Sequence, residues 1–405
     1  MITMKFKRPE FSTEFNILTR LIRPTMDENT LQSLSDLIKN PVDWQEFLRL
    51  GDRHRVVPLV WRGMGRCRDI DFPENVQETI KRKTDFNRKR ALQQTAELIQ
   101  LSRLFEENGI RAISLKGPIL AKQVYGDVGM RHAGDLDLLV DKNNFEKAKL
   151  ILLQCGYTLG EKYVSIKENE QAVFMELRNH FTFNNPTLKT SVELHWRYLF
   201  NNQINILGDS NALINITYVE LHKTKINMLP PDSNFLYLVL HGTRHAWFRL
   251  KWLCDIAELS NDNINILNNY KEDTIQTQMK RPFLQLSMLL QTLFDMPLPI
   301  NTTPMNRAVL NLYDYISSRI QSNTHPPFSN FKDIFKEIRY NLLLKRAISY
   351  KLKFITTKFI VAGDTWRMKP LSSKYFPIFI IFKPFYVFTK LYRAITNKKH
   401  SDKNK

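Results

Sequence analysis

Apolar residues recur at helical spacing from Asp85 to Glu107, where Leu92, Leu98, Leu101, Leu104 and Phe105 mark one side and Asn108-Gly109 ends the pattern. The spacing predicts a helix there, and residues 1 to about 109 read as helical throughout. The pattern then shortens. Ile110 to Leu115 is an apolar run of strand length, and Lys116-Gly117-Pro118 punctuates it. Pro118 suits the first turn of a helix, where its missing N–H would be unpaired anyway, so Ile119–Tyr125 is expected to be helical. After a loop holding Gly126, Gly129 and Gly134, Asp135-Leu136-Asp137-Leu138-Leu139-Val140 reads as a strand. Asn144 to Cys155 returns to the helical period and Gly156 stops it. Residues 172–184 and 189–197 are predicted as two strands joined by Asn184-Asn185-Pro186. From about Ser233 to about Lys358 the pattern is helical again.

Helices, then mixed elements, then helices make an α+β fold, with a catalytic core between helical N- and C-terminal regions. We divide the chain into a helical region over 1–84, a core over 85–230, a helical domain over 231–360 and a tail over 361–405. No internal repeat or low-complexity linker interrupts this order.

Composition changes the picture only at the end of the chain. The 405 residues are 43% hydrophobic and 11% aromatic, ordinary for a folded protein. The net charge of +19 is uneven: from Lys345 onward fifteen Lys and Arg face only Asp364 and Asp402. Most of the excess therefore belongs to the tail. Its longest apolar run, Phe376 to Phe382, is too short to span a bilayer. Residues 375–405 mix aromatics with lysines, which suits peripheral contact with an anionic membrane. Docking on the helical domain and binding a polyanion such as RNA are the other uses. Cys67, Cys155 and Cys254 are odd in number and widely spaced, which points to a reducing cytoplasm. The first residues carry no secretory-type apolar stretch, so a cytoplasmic protein without a transmembrane span is expected.

The candidate chemistry lies in two strands. Alternate residues of a strand share a face, so Asp135 and Asp137 are expected to point together while Leu136 and Leu138 enter the core. Paired carboxylates repel unless a cation lies between them, and oxygen ligands that share their ion with phosphates suit Mg²⁺, with Mn²⁺ as a substitute. Ser191-Val192-Glu193-Leu194-His195-Trp196 offers the third carboxylate, with His195 on the face of Glu193. Gly117 would open a helix whose free N–H groups favour an anion. Lys116 and Arg131 are the expected phosphate partners; a salt bridge from Arg131 to Asp135 or Asp127 is the structural alternative. His241 and His245 lie four apart, on one helical face. They are expected to line the cleft or to pack as core; HGTRH lacks the glutamate of the H-E-x-x-H zinc motif. Asp255 is expected to pair with a histidine or with Arg244 or Arg249.

Leu115-Lys116-Gly117, Tyr125-Gly126-Asp127, Arg131 through Val140 and Val192 through Trp196 together resemble an uncharacterised bacterial nucleotidyltransferase family of the DNA polymerase β-like superfamily. Leu240-His241-Gly242, His245, Trp247, Trp252, Asp255 and Asp364-Thr365-Trp366 extend the resemblance over roughly residues 90–390. It implies a polymerase β-like core with a small mixed sheet, and transfer of a nucleoside monophosphate from an NTP donor with release of pyrophosphate. Asp135, Asp137 and Glu193 would be the catalytic and metal-binding residues; Lys116, Gly117, Arg131, His195, His241 and His245 would bind substrate. The acceptor implied is a small molecule, a peptide or a polysaccharide precursor, with RNA or protein as further options. Where the superfamily has Gly-Ser or Gly-Gly after the first strand, this chain has Lys116-Gly117. Two other readings remain: kinase-like phosphoryl transfer from the same site, and a non-catalytic factor with a degenerate fold at the membrane surface.

Overall fold

A computed structural model describes residues 9–163, 171, 174, 175, 178–198, 216–262, 279–296, 306–322 and 331–360. The basic tail, with Asp364-Thr365-Trp366, lies outside the described residues. Five helices come first: α1 (Thr13–Leu21), α2 (Glu28–Ile38), α3 (Trp44–His54), α4 (Val57–Arg66) and the 34-residue α5 (Glu74–Glu107). Side chains set several starts: Ser12 accepts from Phe15 N–H, Asp27 from Thr30 N–H, and Asp43 from Gln45 and Glu46 N–H.

The mixed sheet follows. It contains β1 (Ala112–Ser114), β2 (Leu136–Val140), β3 (Thr158–Leu159), β4 (His180–Asn185) and β5 (Thr190–His195), in the spatial order β1-β2-β5-β4-β3. Only β2 and β5 run parallel; the other three pairings are antiparallel. Helices α6 (Pro118–Tyr125) and α7 (Phe145–Gln154) connect its parts, and β6 (Thr217–Leu221) with β7 (Thr224–Met228) forms a separate hairpin. The C-terminal helices are α8 (Pro231–Arg244), α9 (Leu250–Asp262), α10 (Lys280–Phe294), α11 (Arg307–Gln321), α12 (Phe331–Leu343) and α13 (Ile348–Ile360).

The pleat divides the core and orients the site. Leu136, Leu138 and Val140 of β2 join Val192 and Leu194 of β5 in one apolar cluster with Leu98, Leu101 and Phe105 of α5 and Phe145 of α7. Each fully buried Leu or Phe there contributes about 1.5–3 kcal/mol. Leu139, from the opposite face of β2, belongs to a second cluster that gathers Leu18 of α1, Phe47 of α3, Trp247, Phe283 of α10 and Tyr313 of α11. The helices before and after the sheet therefore share one core. Arg23 with Asp295 at 2.6 Å, and the pair of Arg62 with Glu258, tie them further. The face carrying Asp137 is turned toward this helical assembly.

Three expectations change. Helix α5 starts at Glu74 rather than Asp85, because its first half buries Val76, Ile80, Thr84 and Asn87, and the two polar members hide the stripe. Residues 171, 174 and 175 are helical, so the strand predicted over 172–184 begins only at His180. Phe174 instead stacks its ring on Phe181 at 4.8 Å, packing a helical residue against the strand. The β6–β7 hairpin was not anticipated: its turn places His222 and Lys223 at φ 46° and 63°, where Gly or Asn is the usual signal.

Candidate functional site

The loop before β2 is held from α5. Asn87 Nδ2 donates to the carbonyls of Gly129 (2.9 Å) and Arg131 (3.1 Å), and its Oδ1 accepts from Ala133 N–H at 2.9 Å. One buried amide thus fixes three backbone groups, and Gln94 adds a bond to the Gly134 carbonyl. Asp127 caps the short turn that follows by accepting from Gly129 N–H. Tyr125 and Arg131 converge on Asp255 of α9: the phenol donates at 3.0 Å and the guanidinium Nε spans both carboxylate oxygens at 3.1 and 3.0 Å. The Tyr-Gly-Asp segment and Arg131 thereby lock the loop to the helical assembly. Asp255 pairs with Arg131 and Tyr125, not with the histidine, Arg244 or Arg249 expected from sequence.

Asp135 stands one residue ahead of β2, and Asp137 is on it, directly opposite Glu193 of β5. Asp137 is buried, with Lys116 Nζ 2.9 Å from its Oδ1 and His195 Nε2 3.3 Å from the same oxygen. His195 Nε2 is also 3.4 Å from Glu193 Oε2, and His180 Nε2 is 3.6 Å from Glu193 Oε1. Burial disfavours the charged form of both acids. Lys116 and His195 together outweigh it for Asp137, and the two histidines with Lys116 outweigh it for Glu193, so both carboxyls are held below their ordinary range. Asp135, although exposed at its surface, goes the other way: partial loss of water around its carboxyl, then the charges of Glu193 and Asp137, push it up. A carboxylate crowded by two others and raised by their charge is the electrostatic situation a divalent cation relieves. The oxygen donors of Asp135, Asp137 and Glu193 are of the kind such an ion takes, but these three are not a group whose ligand atoms all lie within 4.8 Å of one another. His180, Glu193 and His195 form a second donor group, with ligand atoms all within 4.8 Å of one another.

The cleft that holds these acids is also lined by basic residues. Arg55, Arg244, Arg249 and Lys251 line the same cleft, of about 1030 Å³ including the space open to solvent, together with Tyr198, Tyr237, Phe248 and Trp252. Arg55 reaches it from a left-handed residue (φ 57°) that ends α3. Lys251 is 8% exposed. Burial, then Arg131 and Arg55, hold its ammonium well below the usual lysine range. His245 stacks on Trp252 with ring centroids 5.2 Å apart, and His241 meets the same ring edge-on at 5.5 Å. Burial keeps both imidazoles neutral, His245 down to about 3. A second lobe, lined by Arg90, His132, Lys189 and Ser191, meets the first at Arg55, Gly134 and Asp135.

Of the residues singled out from sequence, Lys116, Arg131, Asp135, Asp137, Glu193, His195, His241 and His245 all line this cleft. Gly117 does not. It begins α6 at φ 73°, ψ −140°, a backbone setting that favours glycine, and its role in the structure is that turn. Arg131 lines the cleft with its guanidinium committed to Asp255. Sequence reasoning missed His180, Asn179, Arg55, Arg244, Arg249 and Lys251. His180 is paired with His195 across β4 and β5, so the hairpin register carried that signal. Arg55 comes from a distant helix and had none.

No curated protein matches the chain, and no solved structure does. Residues 40–295, well over half of the chain, match the profile of a family described as uncharacterised nucleotidyltransferases. That span takes in the sheet, the acids, the basic residues of the cleft and helices on both sides, and the chain belongs to the uncharacterised nucleotidyltransferase family.

Proposed function

We propose that the chain is a polymerase β-like nucleotidyltransferase that moves a nucleoside monophosphate from an NTP to an acceptor hydroxyl, releasing pyrophosphate, with Mg²⁺ at Asp135, Asp137 and Glu193. The supporting observation is the cross-strand pairing of Asp137 with Glu193, with Asp135 beside them, in a cleft that Arg55, Arg244 and Arg249 also line. Carboxylates alone would repel a triphosphate; cations alone would hold it without assisting the reaction. Both together suit a metal-bound triphosphate.

When bound, the ion supplies charge neutralisation of the leaving pyrophosphate and acidifies the attacking hydroxyl. Glu193 holds that ion or receives the acceptor proton. The acceptor oxygen forms a bond to the α-phosphorus as the bond to the bridging oxygen of the β-phosphate breaks. Lys116, Arg55, Arg244 and Arg249 take the non-transferred phosphates by charge. In this reading Arg131 acts mainly through Asp255, holding the loop that presents Asp135. Phe248, half-buried at the cleft, offers a ring to a nucleobase. The second lobe, with Arg90 and Lys189, suits an acceptor bearing an anionic group.

Incubation of the full chain with each α-³²P-labelled NTP and Mg²⁺ in a cell extract tests this. Label is expected to pass to an acceptor with the native chain and not with Asp135→Ala or Asp137→Ala. Appearance of nucleoside diphosphate in place of pyrophosphate would replace the reading with phosphoryl transfer. Absence of metal-dependent nucleotide binding would remove both.

A further inference from the structure

We propose that His180, His195 and Glu193 form a second cation position that selects a transition metal over Mg²⁺, sharing Glu193 with the Asp135–Asp137 pair. The inference rests on the nucleotidyltransferase reading only for the use made of that neighbouring pair.

The geometry points to a shared ion more than to a simple ion-pair network. Two ligands each about 2.1 Å from a tetrahedral centre stand roughly 3.4 Å apart. His195 Nε2 and Glu193 Oε2 are separated by 3.4 Å, and His180 Nε2 and Glu193 Oε1 by 3.6 Å. His195 is 3% exposed, and its Nε2 is buried without a hydrogen bond of acceptable direction, although carboxylate oxygens lie on two sides of it. A buried polar atom in that state is costly unless something else engages it.

The residue behind the rings supports the same view. Asn179 bonds both imidazoles at Nδ1: its Oδ1 is 3.1 Å from His180 Nδ1 and its Nδ2 is 3.3 Å from His195 Nδ1. Both Nε2 atoms are thereby turned toward Glu193, the outer-sphere arrangement that orients metal-bound histidines. Where the amide oxygen accepts from His180 Nδ1–H, His180 Nε2 presents its lone pair to the ion. His195 meets the NH₂ end of the same amide, and a flip that turns the oxygen to His195 turns the NH₂ to His180, so one amide serves only one metal-bound ring at a time. A carboxylate at position 179 would accept from both Nδ1–H groups without rotating. Two imidazoles and one carboxylate favour Zn²⁺ or Co²⁺, whereas the all-oxygen neighbour favours Mg²⁺.

The test uses the full chain freed of metal by chelation and titrated with Co²⁺ alone and with Mg²⁺ alone, followed by calorimetry and, for Co²⁺, visible absorption. Co²⁺ is expected to bind with the intense bands of a low-coordinate nitrogen–oxygen site. His180→Gln, a change at a half-buried strand end, is expected to weaken Co²⁺ at least about tenfold and leave Mg²⁺ within about twofold. Asn179→Asp is expected to tighten Co²⁺. Asp135→Asn is expected to weaken Mg²⁺ while the Co²⁺ bands persist, which separates this position from the proposed catalytic pair even if no NTP is turned over. Equal effects of His180→Gln on both metals, absence of the bands, or loss of both metals on Asp135→Asn would overturn the proposal.

Discussion

Asp137 and Glu193 occupy facing positions on adjacent parallel strands, with Leu136 opposite Val192 and Leu138 opposite Leu194 on either side of them. The apolar neighbours face the cluster under α5 and α7, so the pleat sends both carboxylates to the other face. A slip of one residue in this pairing would bury the acids and expose the leucines. The core thus fixes the register, and the register fixes the site.

The three acids are expected to respond differently when neutralised. Asp137→Asn leaves the Lys116 ammonium buried without its partner, which costs about 3–5 kcal/mol. Asp135→Asn removes an exposed carboxylate that the charges of Glu193 and Asp137 disfavour, so the melting midpoint of chelated protein should hold or rise slightly. Both changes should lower nucleotidyl transfer by roughly 10²- to 10³-fold or more. Thermal melts beside a labelled-NTP assay check this. An Asp135→Asn chain that melts lower than the native one would contradict the electrostatic reading.

Lys116 stands 2.9 Å from the oxygen that a cation would use. Lys116→Met should therefore tighten Mg²⁺ binding in the absence of nucleotide and weaken binding of a non-hydrolysable NTP in its presence. Calorimetry in both conditions reads the two signs. Weakening of both would show that Lys116 holds Asp137 in place and does not compete with the ion.

The pair of Arg131 and Asp255 separates a structural cation from a phosphate-binding one. Arg131→Met should cost about 3–5 kcal/mol by leaving the Asp255 carboxylate buried and unpaired. Arg131→Met combined with Asp255→Leu should recover much of that loss, measured by denaturant unfolding. Recovery of NTP affinity in the double variant would assign Arg131 to the loop. Stability without affinity would return it to the phosphates.

How much of this was legible in the sequence follows from which interactions are local. The strands around Asp137 and Glu193 announce themselves through alternating apolar residues, and the α+β order through changes of period. The Tyr-Gly-Asp segment was visible as a motif but not as a mechanism: Tyr125 acts through Asp255, 130 positions away. Arg55, Lys251 and Arg244 reach the cleft from helices whose sequences read as ordinary amphipathic elements. Asn87 looked like one polar residue in a charged helix, and only the folded chain shows it holding three backbone groups of the loop. The turn at His222-Lys223 was illegible because neither residue is a usual left-handed one.

Gly242 illustrates a motif glycine with a packing reason. A Cβ there would stand 2.3 Å from the Trp247 ring, which is fully buried. Gly242→Ala should destabilise the chain by about 1–3 kcal/mol through overpacking. Trp247→Leu costs stability by itself, but Gly242→Ala with Trp247→Leu should lose less than the two single changes summed, and unfolding midpoints of the single and double variants measure the coupling. Additive losses would place the strain elsewhere.

Acid sensitivity should come in part from His54, at the end of α3. It is fully buried, accepts from Leu250 N–H through Nδ1 at 3.3 Å and meets the Phe15 ring edge-on. Burial, then Arg53, Arg49 and Arg249, hold its imidazole well below the ordinary value of 6.5. His132, lowered to about 3 by burial and then Lys251, works in the same direction. The unfolded chain therefore takes up protons that the folded chain refuses. The contribution to stability is intact above about pH 6.5 and is lost as pH falls toward the depressed folded values, at up to about 1.4 kcal/mol per pH unit for each such histidine. His54→Asn keeps an acceptor for Leu250 N–H and removes one titrating group. Its stability should therefore fall less steeply between pH 6.5 and 5, even though it starts lower at pH 8 because the asparagine is smaller. Denaturant unfolding across that range reads the slope, and identical slopes for both proteins would show that His54 does not remain neutral in the folded chain.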